Sequence, residues 1–336
     1  MNGSYLGHLS HFDPLHRYLW HHILPQIGVA LPEPDFRVFQ SAFSRDVYKY
    51  EERFSGARVI GKFYPMRHDA GPHPQKTGET EYNNLVFLRS LGFDAPPHYV
   101  VKPLGFNAAI AGLLVMEYLE GDVLGTVINE AIFHGKRDRL FRKLAALAHF
   151  LATMHNRTAK DWPVTFSDGC AYMGRLINSL IVKWGMGGDH SDELYALREA
   201  WRSRGCMWED RAVLVHGDVT PSNFLLGRGN NVMAIDLERM QWADRVFDLG
   251  RLCGELKHFF CQGTGDPGAA EPFIGHFLWE YCCHFPDRMS AFRSITLRAP
   301  FYIGINLLRI ARNSWIGRDY RWRLVQEAKH ILRALP

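Results

Sequence analysis

Apolar residues recur at helical spacing through much of the chain from about residue 140 onward, and in short strand-like runs before it. Leu140, Leu144, Leu147, Leu151 and Met154 stand three and four apart, which predicts an amphipathic helix with that stripe turned to the core. Residues 172–183, 191–202, 249–260 and an arginine-rich tail from Pro300 onward are further helical candidates. In the first half, 47–50, 58–64 and 112–119 read as strands, the second of them stopped by Pro65. Between these strands Glu81, Leu85 and Leu88 stand at i, i+4 and i+7 before Gly92, the pattern of a short helix. Near the start, Asp13 as cap and Pro14 in the first turn predict a helix to about Leu24, ended by Pro25.

Chemistry concentrates where two short apolar runs flank a turn. The run 212–215 leads into His216-Gly217-Asp218, and Asn223 follows five residues after the aspartate. A Gly- and Asn-rich turn, 227–231, opens a second run that ends at Asp236, with Glu238 one strand period beyond. Phosphoryl transfer from a nucleoside triphosphate needs a carboxylate to orient the attacking hydroxyl, with an amide oxygen and a second carboxylate to hold Mg²⁺. Asp218, Asn223 and Asp236 suit those catalytic roles, and Asn223, Asp236 and Glu238 are the candidate metal ligands. Taken singly, Asp218 is also what closes many turns and Asp236 what ends many strands; the conjunction carries the reading.

These residues resemble the aminoglycoside phosphotransferase and choline kinase family. His216-Gly217-Asp218 with Asn223 matches its catalytic-loop pattern, Ile235-Asp236-Leu237-Glu238 its metal-binding segment, and Arg245–Gly250 the element whose aspartate, here Asp248, buttresses the catalytic loop. The resemblance implies an α+β, protein-kinase-like two-lobed fold: a small N-terminal lobe of antiparallel sheet and one helix, and a larger, mainly helical C-terminal lobe. It places a helical extension at 1–34, the nucleotide-binding lobe at 35–118 and the catalytic and substrate-binding lobe at 119–336. ATP, or GTP in its place, and Mg²⁺ are the implied cofactors.

Such an enzyme also needs a lysine for the nucleotide phosphates and a helix glutamate to hold it. Lys62 is the lysine of strand 58–64, with Lys49 the second choice; Glu81 is the glutamate, with Glu79 the alternative. Met116, Glu117 and Tyr118 fall where the family's adenine-binding linker is expected, although a buried strand has the same composition. No glycine-rich loop lies between Phe36 and Tyr50, so Ser41, Ser44 and nearby backbone amides are the candidates over the phosphates. Two other glycine patterns are set aside. Gly56 to Phe63 lacks the hydroxyl residue of a P-loop and is strand-like between its glycines, and Gly263 to Gly268 follows a helical run rather than a strand.

The 336 residues carry a formal net charge of +4 with 47% hydrophobic residues, ordinary values for a globular enzyme. No run approaches twenty apolar residues and no basic-then-apolar leader opens the chain, which predicts a cytoplasmic protein without a transmembrane segment. Six cysteines without a Cys-x-x-Cys pair read as reduced and structural. His8, His11, His16, His21 and His22 invite a metal, but their spacing does not stack on a helix face. From Arg251 onward twelve Lys and Arg stand against seven Asp and Glu, which disfavours a polycationic substrate and favours a neutral or anionic small-molecule hydroxyl compound. Trp315, Tyr320 and Trp322 among Arg312, Arg318, Arg321 and Arg323 would also suit an anionic surface, yet no nucleic-acid motif appears. A non-catalytic scaffold of the same fold and a protein-substrate kinase are the rival readings, and oligomeric state is not legible.

Overall fold

The computed structural model describes residues 3–42, 44–64 and 77–335. The chain divides into two compact units, one reaching to Gly121 and including Met233–Arg239, the other formed by Asp122–Val232 and Met240 onward. Pro65, expected to stop a strand, lies outside the described residues.

The first unit is built on a six-stranded sheet. Its strands are β1 (Gly3–His8), β2 (Phe36–Ser41), β3 (Val47–Glu52) and β4 (Arg58–Lys62). Between β1 and β2 lies helix α1 (Pro14–Tyr18), and after β4 comes α2 (Gly78–Ser90). Two short strands, β5 (Asp94–Ala95) and β6 (His98–Val100), precede β7 (Pro103–Asn107) and β8 (Leu113–Glu117). The sheet runs β1-β2-β3-β4-β8-β7, with antiparallel pairing throughout. The N-terminal stretch expected to be a helical extension therefore begins as a sheet strand, because Gly3–His8 finds the open edge of β2 with Tyr5 opposite Phe39. Asp13 does cap α1, accepting from the Leu15 N–H, but the helix does not stop at Pro25. It passes through a π turn at Leu19–Ile23 into a 3₁₀ turn at Leu24–Ile27, where Pro25 occupies an early position needing no N–H, and it ends at Gly28 with φ +75°. Leu15, Leu19, Ile23 and Leu24 pack with Phe36, Tyr50, Val59 and Leu113, which makes this segment part of the unit's core.

The second unit opens with β9 (Asp122–Val123), α3 (Leu124–Phe133), α4 (Arg137–Thr158), α5 (Phe166–Trp184) and α6 (Gly188–Arg202). The strands β10 (Val213–Val215) and β11 (Phe224–Leu226) follow; β12 (Val232–Ala234) runs into the Met233–Arg239 stretch counted with the first unit, and the second unit resumes with β13 (Gln241–Ala243), α7 (Val246–Thr264), α8 (Glu271–Cys282), α9 (Arg288–Ala311) and α10 (Arg318–Leu332). The stripe Leu140, Leu144, Leu147, Leu151 and Met154 is fully buried on α4. Lys143 of the same helix donates to the Gly227 and Gly229 carbonyls at 2.7 Å each, fixing the turn after β11. β10 pairs antiparallel with β13, a strand the hydrophobic pattern did not announce. The tail helix begins at Arg288, twelve residues before Pro300, which lies inside α9. Asp287 sets the start by accepting from the Ser290 N–H, and burial of Phe301 to Leu308 offsets the ladder bond that Pro300 cannot make. No described helix is long and apolar enough to cross a membrane.

Candidate active site

The first unit's chemistry gathers on β4, α2 and the segment after β12. β4 pairs with both β3 and β8, so Lys62 at its end is held by ladders on both sides, with Val47 and Leu114 as its register partners. Thr77 caps α2 by accepting from the Thr80 N–H, and the first turn then presents Glu81, fully buried, on the same face as Leu85 and Leu88. Lys62 Nζ donates to Glu81 Oε2 at 2.8 Å, to Asp236 Oδ1 at 2.6 Å and to Glu238 Oε2 at 3.2 Å. Burial works against the Lys62 ammonium, but Glu81, Asp236, Tyr64 and Glu238 outweigh it and hold its pKa above the usual lysine range. Burial pushes the Glu81 carboxyl upward, and Lys62 opposes it. Glu81 also accepts from the Leu237 N–H at 3.2 Å, which ties α2 to the segment carrying Asp236, and from the Tyr64 hydroxyl just past β4. Asp236 itself has φ +64°, a left-handed backbone that asparagine and aspartate tolerate better than other side-chain-bearing residues.

Among the described residues, Glu81, Asp236 and Glu238 are the one acidic group whose oxygens all lie within 4.8 Å. An oxygen-only donor set suits a hard divalent cation, and a positive charge, the Lys62 ammonium, already sits against all three. The alternatives considered for the lysine and glutamate are placed elsewhere: Lys49 pairs with Glu51 at 3.1 Å over the Phe39 ring, and Glu79 is exposed.

The remaining first-unit candidates are less engaged with that cluster. Ser41 ends β2 opposite Gly3, and Ser44 Oγ accepts from the Asp46 N–H at 3.3 Å within its own turn. Met116 lies in an inner strand with partners on both sides. The Glu117 carboxylate accepts from the Tyr99 hydroxyl and the Lys102 N–H, both at 2.6 Å, and the Tyr118 ring lies beneath the Arg58 guanidinium.

The second unit's chemistry is a loop between β10 and β11 clamped from α7. Asp248, fully buried in the first turn of α7, accepts from the His216 N–H at 2.7 Å and the Gly217 N–H at 2.9 Å. Gly217 has φ +79°, so the turn that brings the chain to Asp218 needs a residue free of a Cβ. Asn223 closes the loop by donating from Nδ2 to the Asp218 carbonyl at 2.9 Å, and its amide oxygen accepts from Ser222 Oγ at 3.3 Å. Asp218 Oδ1 accepts from Arg251 Nη1 at 2.8 Å.

Residues 35–282 match the phosphotransferase enzyme family. The chain belongs to that family. Its fold agrees: the Plasmodium vivax ethanolamine kinase superposes with a TM-score of 0.60 at 12% identity, over 95% of this chain and 88% of that one. The choline kinase LicA from Streptococcus pneumoniae gives 0.53 at 17% identity, over 88% and 94%. An ADP-bound aminoglycoside phosphotransferase, APH(2'')-Ib, gives 0.53 at 16%, over 95% and 98%. Comparison with curated proteins yields no match. Together these establish a kinase-type phosphotransfer fold of two lobes.

Three residues in contact with the candidate groups escaped the sequence reading. Tyr64 stands two residues after Lys62, the spacing that keeps a strand-like segment on one face, and that alternation was the available signal. Arg251 follows Asp248 by three on a helix, again a readable spacing. His155 left no comparable trace: its Nε2 meets Asp248 at 3.2 Å and its Nδ1 meets the Tyr281 hydroxyl at 2.9 Å, contacts that only the packed structure reveals. Burial, with Asp248 opposing, holds the His155 pKa below the usual histidine value. The cysteines are all free, and burial lifts Cys170 to about 11 and Cys282 to about 12, far from a reactive thiolate. His16 meets the Pro34 carbonyl through Nε2 at 3.0 Å inside the first unit's core.

Proposed function

We propose that this chain is an ATP- and Mg²⁺-dependent phosphotransferase that moves the γ-phosphate to a hydroxyl of a small molecule. The observation that carries the reading is the buried Lys62–Glu81 pair, with Asp236 on the same ammonium, in a chain whose family is defined by phosphotransfer. Lys62 would meet the nucleotide phosphates, held in place by Glu81. Asn223, Asp236 and Glu238 would hold Mg²⁺, which when bound neutralises charge on the phosphate oxygens. Asp218 would orient the acceptor hydroxyl and take its proton, while the Asp248 clamp keeps the loop fixed at no cost during turnover. The ADP-bound neighbour and a solved ternary complex of streptomycin, ATP and APH(2'')-IIa support nucleotide use by this fold.

The acceptor is proposed to be neutral or anionic, on the excess of Lys and Arg from Arg251 onward, part of which is engaged within the second unit. Arg298 is buried between Asp210 and Asp244, Arg321 donates to the Ala311 and Ile316 carbonyls, and Lys329 pairs with Glu193. Much of the tail's positive charge therefore serves the interior.

The test is transfer of labelled γ-phosphate from ATP to a panel of sugars, amino alcohols and antibiotics, with Asp218→Asn as control. We expect acceptor-dependent transfer in the wild type and a loss of about 10²- to 10⁴-fold in the variant, the range for a general base. Normal turnover by Asp218→Asn would sink the assignment.

A further inference from the structure

Asp218 is held from two sides of its own peptide by a single helix. Asp248 takes the backbone N–H groups of His216 and Gly217, and Arg251, one turn further along α7, takes the side chain through Nη1 to Oδ1 at 2.8 Å. Spacing of three on a helix puts both residues on one face, so a rigid element sets backbone and carboxylate together. Arg251 is only 4% exposed, unlike a surface partner that swings with solvent.

The arginine is itself fixed from two directions. Its guanidinium carbon lies 5.1 Å from the centre of the Phe247 ring, one turn back on α7. Its carbonyl accepts from Asn306 Nδ2 of α9 at 2.9 Å. Glu255, one turn forward, is occupied by Arg309 of α9 at 2.8 Å and by Asn306 at 3.4 Å. Arg309 therefore neutralises Glu255, which would otherwise compete with Asp218 for the Arg251 guanidinium. The charges around the pair are Asp248 and Glu255 from α7 and Arg309 from α9.

We propose that Arg251 is a positioning residue for the phosphotransfer reaction: it fixes the rotamer of Asp218 by occupying Oδ1, so that the carboxylate meets the acceptor in one orientation. The proposal rests on the reading of Asp218 as the base. An aspartate side chain has several staggered rotamers open to it, and misplacement of its carboxylate by about 1 Å is enough to cost about a hundredfold in rate.

The experiment follows Mg·ATP hydrolysis, with water as acceptor, by the full chain and its Asp218→Asn, Arg251→Ala and Arg251→Lys variants, each checked for native circular dichroism and cooperative unfolding. Arg251→Ala is expected to lose about tenfold to a hundredfold in kcat with KM for ATP within about twofold of wild type, the signature of lost positioning rather than lost binding. Added ethylguanidinium at millimolar concentration is expected to restore part of that rate, and Arg251→Lys to fall between the two. A wild-type kcat in Arg251→Ala, or a loss that neither ethylguanidinium nor lysine recovers, overturns the proposal and makes Arg251 a packing residue. A tenfold rise in KM with kcat unchanged also overturns it, since Arg251 would then bind nucleotide. If Asp218→Asn hydrolyses ATP as fast as wild type, the reading of the base fails instead and the proposal falls with it. If Arg251→Ala does not fold, Arg251→Lys decides alone, by the same split of kcat from KM.

Discussion

Lys62 balances three carboxylates that would repel one another without it. Glu81 is the least able to escape, being fully buried, whereas Asp236 and Glu238 retain some access to water. Lys62→Met should therefore destabilise the fold by about 3–5 kcal/mol, the cost of leaving a buried charge without its partner, measured by urea unfolding. Adding Glu81→Leu to that variant should recover part of the loss, because the uncompensated carboxylate is then gone as well. Additive losses in the double variant would show that the pair contributes through packing alone. Both residues were legible beforehand, since a lone strand lysine and a helix glutamate ahead of an apolar stripe are sequence patterns. Tyr64, which touches the same glutamate, was missed although its spacing of two from Lys62 was there to read, because nothing in the sequence puts its hydroxyl beside Glu81.

Helix α7 acts as the frame of the catalytic-loop candidate. Replacing Asp248 with Ala leaves the His216 and Gly217 N–H groups buried and unpaired, at about 1–3 kcal/mol for each such donor. Asp248→Asn keeps one acceptor and should lose roughly half as much, a contrast that urea midpoints would resolve. The apolar stripes foretold α4, α5, α6 and α7 well, because each buries one face, and periodicity records that burial. Elements made by pairing were less visible. β1 is an exposed edge strand with Tyr5 and Leu6 open to solvent, and β13 is three residues long, so neither has an alternation to read. The start of α9 was misjudged because Pro300 reads as a boundary locally, while the packing of the residues after it decides the outcome.

The charge distribution of the second unit also sets a pH dependence. His258 lies among Tyr320, Trp315 and Phe259, and burial, aided by Arg309, depresses its pKa to about 4. An unfolded histidine titrates near about 6.5, so between those values the unfolded chain binds a proton that the folded chain refuses. Stability should fall as pH drops through that window, by up to about 3 kcal/mol at the usual 1.36 kcal/mol per unit, and His258→Gln should flatten that slope in urea melts. For the protein as a whole, the proposed transfer requires that a nucleotide and a divalent cation bind together. The direct measurement is thermal unfolding with ATP, GTP and Mg²⁺, alone and combined, for the wild type and Asp236→Ala. A shift that needs both nucleotide and metal, equivalent to about 2.7 kcal/mol at a hundredfold excess over Kd, and that vanishes in Asp236→Ala is the predicted result. No shift with any nucleotide at millimolar concentration, or an equal shift in the variant, would contradict it.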